Sequence, residues 1–158
     1  EDGTPFRHIH ATGSFGWRWM PEYVKAQGVE LAGQDKIELR EFIYDMPQVM
    51  AAADLVICRA GAATIAEVAA SGTPCIMVPS PNVTDNHQEK NARVLEARGA
   101  AAVLREAQCS GQVLYETAKS ILSDPARRRA MAMAAAQMAV VDSAEQICET
   151  ALELAQTR

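Results

Sequence analysis

The chain has 158 residues, and its 15 Lys and Arg against 20 Asp and Glu give a formal net charge of −5. A hydrophobic fraction of 49% and a charged fraction of 22% exclude a disordered or fibrous chain. A chain of roughly 150 residues is long enough to bury a core as one domain. An acidic chain lacks the basic field on which nucleic-acid affinity depends, so we expect no nucleic-acid partner.

Cysteine usage and apolar patterning narrow the class of protein further. The cysteines are widely spaced and show no CxxC or Cys/His ligand spacing, so we predict reduced thiols in a cytosolic protein and no metal site. No apolar run approaches the roughly 18 residues of a membrane span, and the first residues resemble no signal peptide. Because the chain opens on Glu1 and enters a strand-like segment almost at once, we expect it to be part of a longer protein.

Short β-rich runs alternate with helical patterns up to residue 105, which is typical of βαβ units. We predict strands at 6–12, 36–43, 54–58, 75–79 and 101–105, and helices at 16–27, 46–53, 62–71, 86–98, 111–122, 125–139 and 142–156. The continuous apolar runs 54–58 and 75–79 indicate central strands buried on both faces. Predicted helix starts are Gly61, Asp85 with Asn86, Ser123 to Pro125, and Asp142 or Ser143. The fold class is therefore α/β, a Rossmann-like parallel sheet with helices on both faces, in a single domain over residues 1–158.

Ligands of such sheets bind beyond the carboxyl ends of the strands, so the loops there are the first places to search. After the third strand, small residues from Ala60 to Ala63 lead into a helix whose first amides and dipole would attract a phosphate. Thr64 adds a hydroxyl, and Glu67 lies one turn further on the same face, where its carboxylate suits vicinal hydroxyls such as those of a ribose. The alternative is that Gly61 only turns the chain and Glu67 is solvated surface.

A polar run follows the fourth strand and a proline-punctuated loop. Helical spacing places His87 and Asn91 on one face with Gln88 beside it, which offers neutral hydrogen-bonding groups to sugar hydroxyls. Local capping is the alternative for His87, a role as catalytic base is a weaker one, and no second ligand lies at metal spacing. We expect His8 and His10, inside a strand, to be structural.

The exit of the second strand carries an aromatic and apolar group. Phe42, Ile43 and Met46 could hold a flat ring, with the backbone of Ile43 pairing with the edge of a base. Ordinary core packing is the alternative for this segment.

Taken together and in this order, these segments closely resemble the carboxyl-terminal donor domain of the MurG family. That family comprises bacterial UDP-N-acetylglucosamine transferases, which complete the lipid-linked peptidoglycan precursor. The likeness runs from His10 to near the end of the chain and rests on Phe42 to Met46, Ala53 to Pro74 with Arg59, Gly61, Thr64 and Glu67, Val78 to Pro81, Asp85 to Ala92 with His87, Gln88 and Asn91, and Gly99 to Ala101.

The resemblance implies a role for each matching position. Phe42 would lie against uracil, Ile43 would read its edge, and Met46 would lie close by. Arg59 and the amides of Ala62, Ala63 and Thr64 would face the diphosphate and the sugar. Glu67 would hold the ribose, Gln88 and His87 would bind N-acetylglucosamine, and Asn91 would support their loop. Position 87 is Gln in some members of the family, so the contact made by His87 is open.

The resemblance also implies what lies outside the chain. The family's first βα unit, with a Gly-Gly-Ser loop, and its amino-terminal acceptor domain have no counterpart here, and the catalytic base belongs to that domain. We therefore expect the carboxyl-terminal half of a GT-B glycosyltransferase that binds UDP-N-acetylglucosamine without a cofactor or metal and is inactive alone. The whole enzyme would be an inverting transferase, peripheral on the cytoplasmic face of the membrane, that converts lipid I to lipid II. The alternatives are a separate donor subunit of a two-part glycosyltransferase and a non-catalytic nucleotide-sugar-binding module.

Overall fold

The computed structural model describes residues 6–31 and 36–156. The chain divides into two compact units, Glu1–Val49 and Met50–Arg158. Each unit has its own parallel sheet, with two strands in the first unit and three in the second.

The first unit is built on strands β1 (His8–Ala11) and β2 (Ile37–Arg40), which pair in parallel with His8 opposite Ile37. The segment between them carries helices α1 (Gly13–Trp17) and α2 (Met20–Ala26). The single helix predicted over 16–27 is thus wrong. Pro21 lies in the first turn of α2, where its missing N–H is tolerated, whereas the same residue inside one long helix would remove a hydrogen bond.

The second unit contains strands β3 (Val56–Cys58), β4 (Cys75–Met77) and β5 (Ala101–Val103) in the spatial order β3-β4-β5, all parallel. Its helices are α3 (Met46–Ala52), which begins at the end of the first unit, α4 (Ala62–Ser71), α5 (His87–Ala97), α6 (Gly111–Leu122), α7 (Pro125–Ala136) and α8 (Ser143–Gln156). Short 3-10 turns occupy Thr84–Asn86 and Glu106–Gln108.

The core of the second unit lies on both faces of β4. Cys75 and Met77 pack on one face with the side chains Met50, Val68, Ala92, Leu95 and Ala135 of four helices. Ile76 packs on the other face with Ile121 of α6 and Met131 of α7. Alternate side chains of a strand point to opposite faces. Because helices cover both faces of β4, all three of its residues are fully buried. Helices on both faces of a parallel sheet confirm the predicted fold class.

β3 differs from the prediction that both apolar runs are central. It is an end strand of the three-stranded ladder, and Ile57 is 44% exposed. Central burial on both faces is therefore confirmed for β4 alone in this unit.

Helix starts follow the predicted signals at most positions. Gly61 is extended (φ −69°, ψ 151°) directly before α4, and the side chain of Asp124 accepts hydrogen bonds from the amides of Ala126 and Arg127, both at 3.0 Å, before Pro125. α5 begins directly after Asn86, as predicted, but the expected side-chain cap is wrong: Asp85 and Asn86 have positive φ (55° and 48°), and the side chain of Asn86 makes no capping hydrogen bond to α5. Within the described ranges, no helix is long and apolar enough to cross a bilayer.

Replacing Asp124 with alanine tests the cap of α7. The Asp124→Ala variant leaves two amides without their carboxylate partner, and we expect it to lower the free energy of unfolding by about 1 kcal/mol. Urea denaturation followed by circular dichroism measures the change. Asp124→Asn is the matched control, because asparagine is an equally good cap. Equal destabilisation by both variants would contradict the capping role.

Candidate functional site

Three loops leave the carboxyl edge of the second unit's sheet, as parallel strands require. They follow β3 at Arg59, β4 at Val78 and β5 at Leu104, and the start of α5 comes after the second loop. Side chains from these segments are joined by hydrogen bonds, so the predicted residues of 59–64 and 87–91 belong to one edge. This edge is the candidate site of the second unit.

The start of α4 offers a set of backbone donors at this edge. The first intrahelical bond runs from the amide of Ile65 to the carbonyl of Gly61, at 3.0 Å. The amides of Ala62, Ala63 and Thr64 therefore precede the helical ladder and have no intrahelical acceptor. The nearest atom to a Cβ built at Gly61 is Thr64 Oγ1, at 3.9 Å, so a ligand can approach the backbone there. Free amides and the positive end of the helix dipole favour an anion.

Gln88 ties two of the three loops together. Its Oε1 accepts hydrogen bonds from the amide of Ser80 at 3.0 Å and from the amide of Ala60 at 3.3 Å. One turn further along α5, Asn91 Nδ2 donates to the carbonyl of Ala60 at 3.4 Å. Ala60 is fully buried, and both polar groups of its backbone are thus satisfied by side chains of one helix. The amide nitrogen of Gln88 makes no hydrogen bond to the described residues, so it is available as a donor.

His87 makes a local contact. Its Nδ1 lies 2.9 Å from the carbonyl of Thr84, so Nδ1 is the donor and, in the neutral ring, Nε2 is an acceptor. This bond fits the capping alternative, because it closes the 3-10 turn before α5. The ring is exposed.

Arg59 connects all three loops. Its Nη1 donates to the carbonyl of Val78 at 3.1 Å and pairs with the carboxylate of Glu106 in the turn after β5. The side chain of Arg59 is 53% exposed, so solvent and ligands reach the guanidinium.

A second ion cluster holds the start of α5 against the loop after β5. Glu89 accepts hydrogen bonds from Arg105 Nε at 2.7 Å, Asn86 Nδ2 at 3.0 Å and Arg93 at 3.3 Å. The hydrogen bonds from Asn86, Arg105 and Arg93 lower the pKa of the Glu89 carboxyl from 4.5 to about 2. The carboxylate therefore stays ionised, and the cluster stays charged, throughout the neutral and mildly acidic range.

Glu67 lies on the exposed surface of α4, one turn after Ala63. No hydrogen bond or ion pair from residues 6–31 or 36–156 engages its carboxylate. A solvated glutamate fits either the predicted ribose contact or the alternative of plain surface.

The first unit carries the predicted base-binding segment. Phe42 is 46% exposed, and its ring lies 6.1 Å from that of Tyr44, tilted by 56°. Ile43 follows the end of β2, and its amide and carbonyl make no backbone hydrogen bond to the described residues. Met46 begins α3 and is 38% exposed. An ion pair between Arg40 and Asp45 at 2.9 Å closes this turn. The partial exposure of these side chains argues against the core-packing alternative.

Comparison with known proteins identifies the chain at the level of a family. The profile of the Glycosyltransferase family 28 C-terminal domain matches residues 3–147. The chain belongs to this family. The match covers the described residues of both units up to Ile147, in the second turn of α8.

The sequences of curated relatives align with nearly the whole chain. The UDP-N-acetylglucosamine–N-acetylmuramyl-(pentapeptide) pyrophosphoryl-undecaprenol N-acetylglucosamine transferase of Listeria monocytogenes serovar 1/2a is 42% identical over 149 residues, which are 94% of this chain and 40% of that protein. The protein of the same name from Halalkalibacterium halodurans is 38% identical over 90% of this chain and 38% of its own length. The chain thus spans about 40% of the length of these curated relatives.

Solved structures agree with this family assignment. Acinetobacter baumannii MurG superposes with a TM-score of 0.80 at 30% identity, over 94% of this chain and 41% of that one. The glycotransferase of kitacinnamycin superposes with a TM-score of 0.62 at 20% identity, over 90% of this chain and 34% of its own, and shares the fold alone. The predicted resemblance to the MurG carboxyl-terminal domain, and the GT-B class, are confirmed.

Three further residues make contacts at this edge of the sheet that the sequence did not predict. Ser80 supplies a backbone donor to Gln88, Glu106 pairs with Arg59, and Glu89 pairs with Arg105. No metal-binding cluster of three His, Cys, Asp or Glu side chains occurs among the described residues. A polar run at 85–91 was visible in the sequence, but the loop after β5 carried no signal of its own because its partners are distant in the chain.

The Glu89 cluster makes the stability of the domain depend on pH. A folded-state pKa of about 2 against an ordinary 4.5 stabilises the fold above pH 4.5, and this contribution is lost as the pH falls towards 2. We expect Glu89→Gln to be less stable than the parent protein at neutral pH, with the difference shrinking through that interval. Urea denaturation at a series of pH values measures it. A difference that stays constant as the pH falls would show that the arginines do not stabilise the carboxylate charge.

Proposed function

We propose that this chain is the UDP-N-acetylglucosamine-binding domain of an inverting glycosyltransferase of peptidoglycan synthesis. The observation that carries the proposal is the arrangement at the carboxyl edge of the second unit, where α4 amides, Arg59 and Gln88 come from adjoining loops. The names of the relatives, which are N-acetylglucosamine transferases acting on a lipid-linked muramyl pentapeptide, support the choice of donor and acceptor. The family profile spans both units, and we take residues 1–158 as one donor-binding domain.

The diphosphate is assigned to the start of α4. The amides of Ala62, Ala63 and Thr64 supply neutral donors, and the guanidinium of Arg59 supplies the charge. Preorganised donors of this kind stabilise negative charge that develops on a leaving diphosphate. They are fixed before the ligand arrives, so little reorganisation accompanies the reaction.

The sugar is assigned to the start of α5. Gln88 uses its carbonyl oxygen for the two backbone amides, and its amide nitrogen is left to donate to a hydroxyl. His87 presents Nε2 as an acceptor, and Asn91 supports the loop through Ala60. A polar group that the wrong epimer would leave unpaired discriminates better than an apolar pocket.

The ribose is assigned to Glu67 of the second unit, and a contact with a base is proposed separately for the first unit. Glu67 suits the two ribose hydroxyls, because a carboxylate accepts a hydrogen bond at each oxygen. In the first unit, Phe42 and Met46 offer apolar surface to uracil, and the unpaired backbone of Ile43 can bond to its edge.

Transfer would proceed by direct displacement. A hydroxyl of the acceptor muramyl sugar attacks the anomeric carbon of N-acetylglucosamine, the new glycosidic C–O bond forms, and the bond to the β-phosphate oxygen breaks, which releases UDP. The hydroxyl proton passes to a general base. We place that base, the acceptor site and contact with the cytoplasmic face of the membrane in parts of the longer protein, so this chain alone is expected to bind the donor without turnover.

Calorimetric titration with UDP-N-acetylglucosamine, UDP-glucose and UDP tests the proposal. We expect binding that favours the N-acetylated sugar. Glu67→Ala should weaken binding of all three ligands by about 1–3 kcal/mol, the cost of leaving polar partners unpaired, while Glu116→Ala, which removes an exposed carboxylate from α6, should not. Absence of binding to all three ligands would overturn the proposed function, and an unchanged affinity in Glu67→Ala would overturn the ribose assignment.

Two variants of Gln88 separate its structural role from its ligand contact. Gln88→Glu keeps an oxygen for Ala60 and Ser80 but removes the amide donor, so we expect a stable protein that loses more affinity for UDP-N-acetylglucosamine than for UDP. Gln88→Ala also unties the loops and should lower the free energy of unfolding by about 1–3 kcal/mol. Titration and urea denaturation measure the two effects. Equal losses for both ligands in Gln88→Glu would remove Gln88 from the sugar site.

A further inference from the structure

The loop after β5 reaches the predicted diphosphate site through two adjacent residues with opposite charges. Arg105 pairs with Glu89 at 2.7 Å, and Glu106 pairs with Arg59. One pair connects this loop to α5, and the other connects it to the exit of β3. The two partners lie 16 and 47 residues away in the chain.

The turn that carries Glu106 is itself well fixed. Hydrogen bonds from the amide of Gln108 to the carbonyl of Arg105 at 2.8 Å, and from Cys109 to Glu106 at 3.1 Å, close the 3-10 turn. The Glu89 carboxylate, whose pKa is lowered to about 2, keeps Arg105 paired across the neutral range. The carboxylate of Glu106 therefore starts from an anchored backbone.

The contact uses only one end of the Arg59 guanidinium. Nη1 carries two hydrogens, and it donates to the Val78 carbonyl and to Glu106. Of the five N–H groups of a guanidinium, the three on Nε and Nη2 make no hydrogen bond to the described residues. An anion can thus bind to Arg59 while Glu106 stays in place.

We infer that Glu106 is a positioning residue that fixes the guanidinium of Arg59 with Nε and Nη2 free for the diphosphate of the nucleotide. The inference rests on the proposed function and adds to it a residue from the loop after β5. Arg59 is half-exposed and has a long, flexible side chain, so without these two acceptors it would sample many rotamers and lose entropy on binding. The contact with Glu106 restricts these rotamers before the ligand binds, so less entropy is lost on binding. Its negative charge also repels the ligand, and positioning and repulsion predict opposite effects when it is removed.

UDP affinity of the full chain measures which effect dominates. We expect Glu106→Ala to weaken UDP binding about threefold to tenfold, and Arg59→Ala combined with Glu106→Ala to bind no more weakly than Arg59→Ala alone, since contacting residues are coupled. Glu106→Gln keeps an oxygen acceptor for Nη1 and should stay within about twofold of the parent protein. Affinity for uridine, which has no phosphate, should be the same in all variants. Glu116→Ala is the control for loss of an exposed carboxylate.

A ligand-independent measurement keeps the inference separate from the proposed function. The Nε–Hε signal of Arg59, identified by its loss in Arg59→Lys, should show restricted motion in the isotope-labelled parent protein and lose that restriction in Glu106→Ala. Unchanged order of Arg59 in that variant, or UDP affinity that is unchanged or stronger, would overturn the inference. A parent protein that binds no UDP would overturn the proposed function, and the Arg59 signal would still decide whether Glu106 positions it.

Discussion

The peptide groups on either side of Ala60 are the constraint on which the candidate site depends. Ala60 is fully buried at the exit of β3, where its amide and carbonyl have left the strand ladder and have not entered α4. A buried backbone group without a partner costs about as much as a lost hydrogen bond. Gln88 and Asn91 satisfy both groups from one face of α5. The segment before α4 and the first turns of α5 are therefore joined by hydrogen bonds to buried backbone groups, and not by exposed ion pairs.

This constraint explains why polar residues cluster at the start of α5. Half of the hydrogen-bonding capacity of Gln88 is consumed by the Ala60 and Ser80 amides, and its nitrogen alone is left for a ligand. If the proposed sugar contact holds, few residues can replace Gln88, because aspartate is too short for the same reach and glutamate has no donor. His87 also has one atom engaged by the fold and one left over. Its Nδ1 donates to the carbonyl of Thr84 in the preceding turn, and its Nε2 makes no such contact with the described residues.

Local signals were sufficient to predict much of this architecture from the sequence. The apolar run at 75–79 is the buried strand β4, and Asp124 before Pro125 is a helix cap, because both features depend on neighbours in the chain. Asn86 precedes α5 as expected, but its side chain donates to Glu89 and does not cap the helix. The ion pairs of Glu106 and Arg105 could not be foreseen, since they depend on which strands adjoin in the sheet. Of the residues that the family resemblance implied, those at 59–64 and 87–91 lie at one edge of the second unit, whereas Phe42, Ile43 and Met46 belong to the first unit. The hydrogen bonds of Gln88 and Asn91 to the backbone came only from the structure.

The electrostatic potential at the candidate site is set by nearby groups and not by the net charge of the chain. A net charge of −5 would by itself repel a nucleotide diphosphate, yet charges separated by more than about 8 Å are largely screened at physiological ionic strength. Close to the start of α4 the donors are uncharged amides and one guanidinium, and the nearby carboxylates of Glu89 and Glu106 are each paired with an arginine. Pairing cancels most of their field while it fixes the arginines in place. An acidic domain can therefore present an anion site, because oriented dipoles and one positioned cation act over distances at which the net charge is screened.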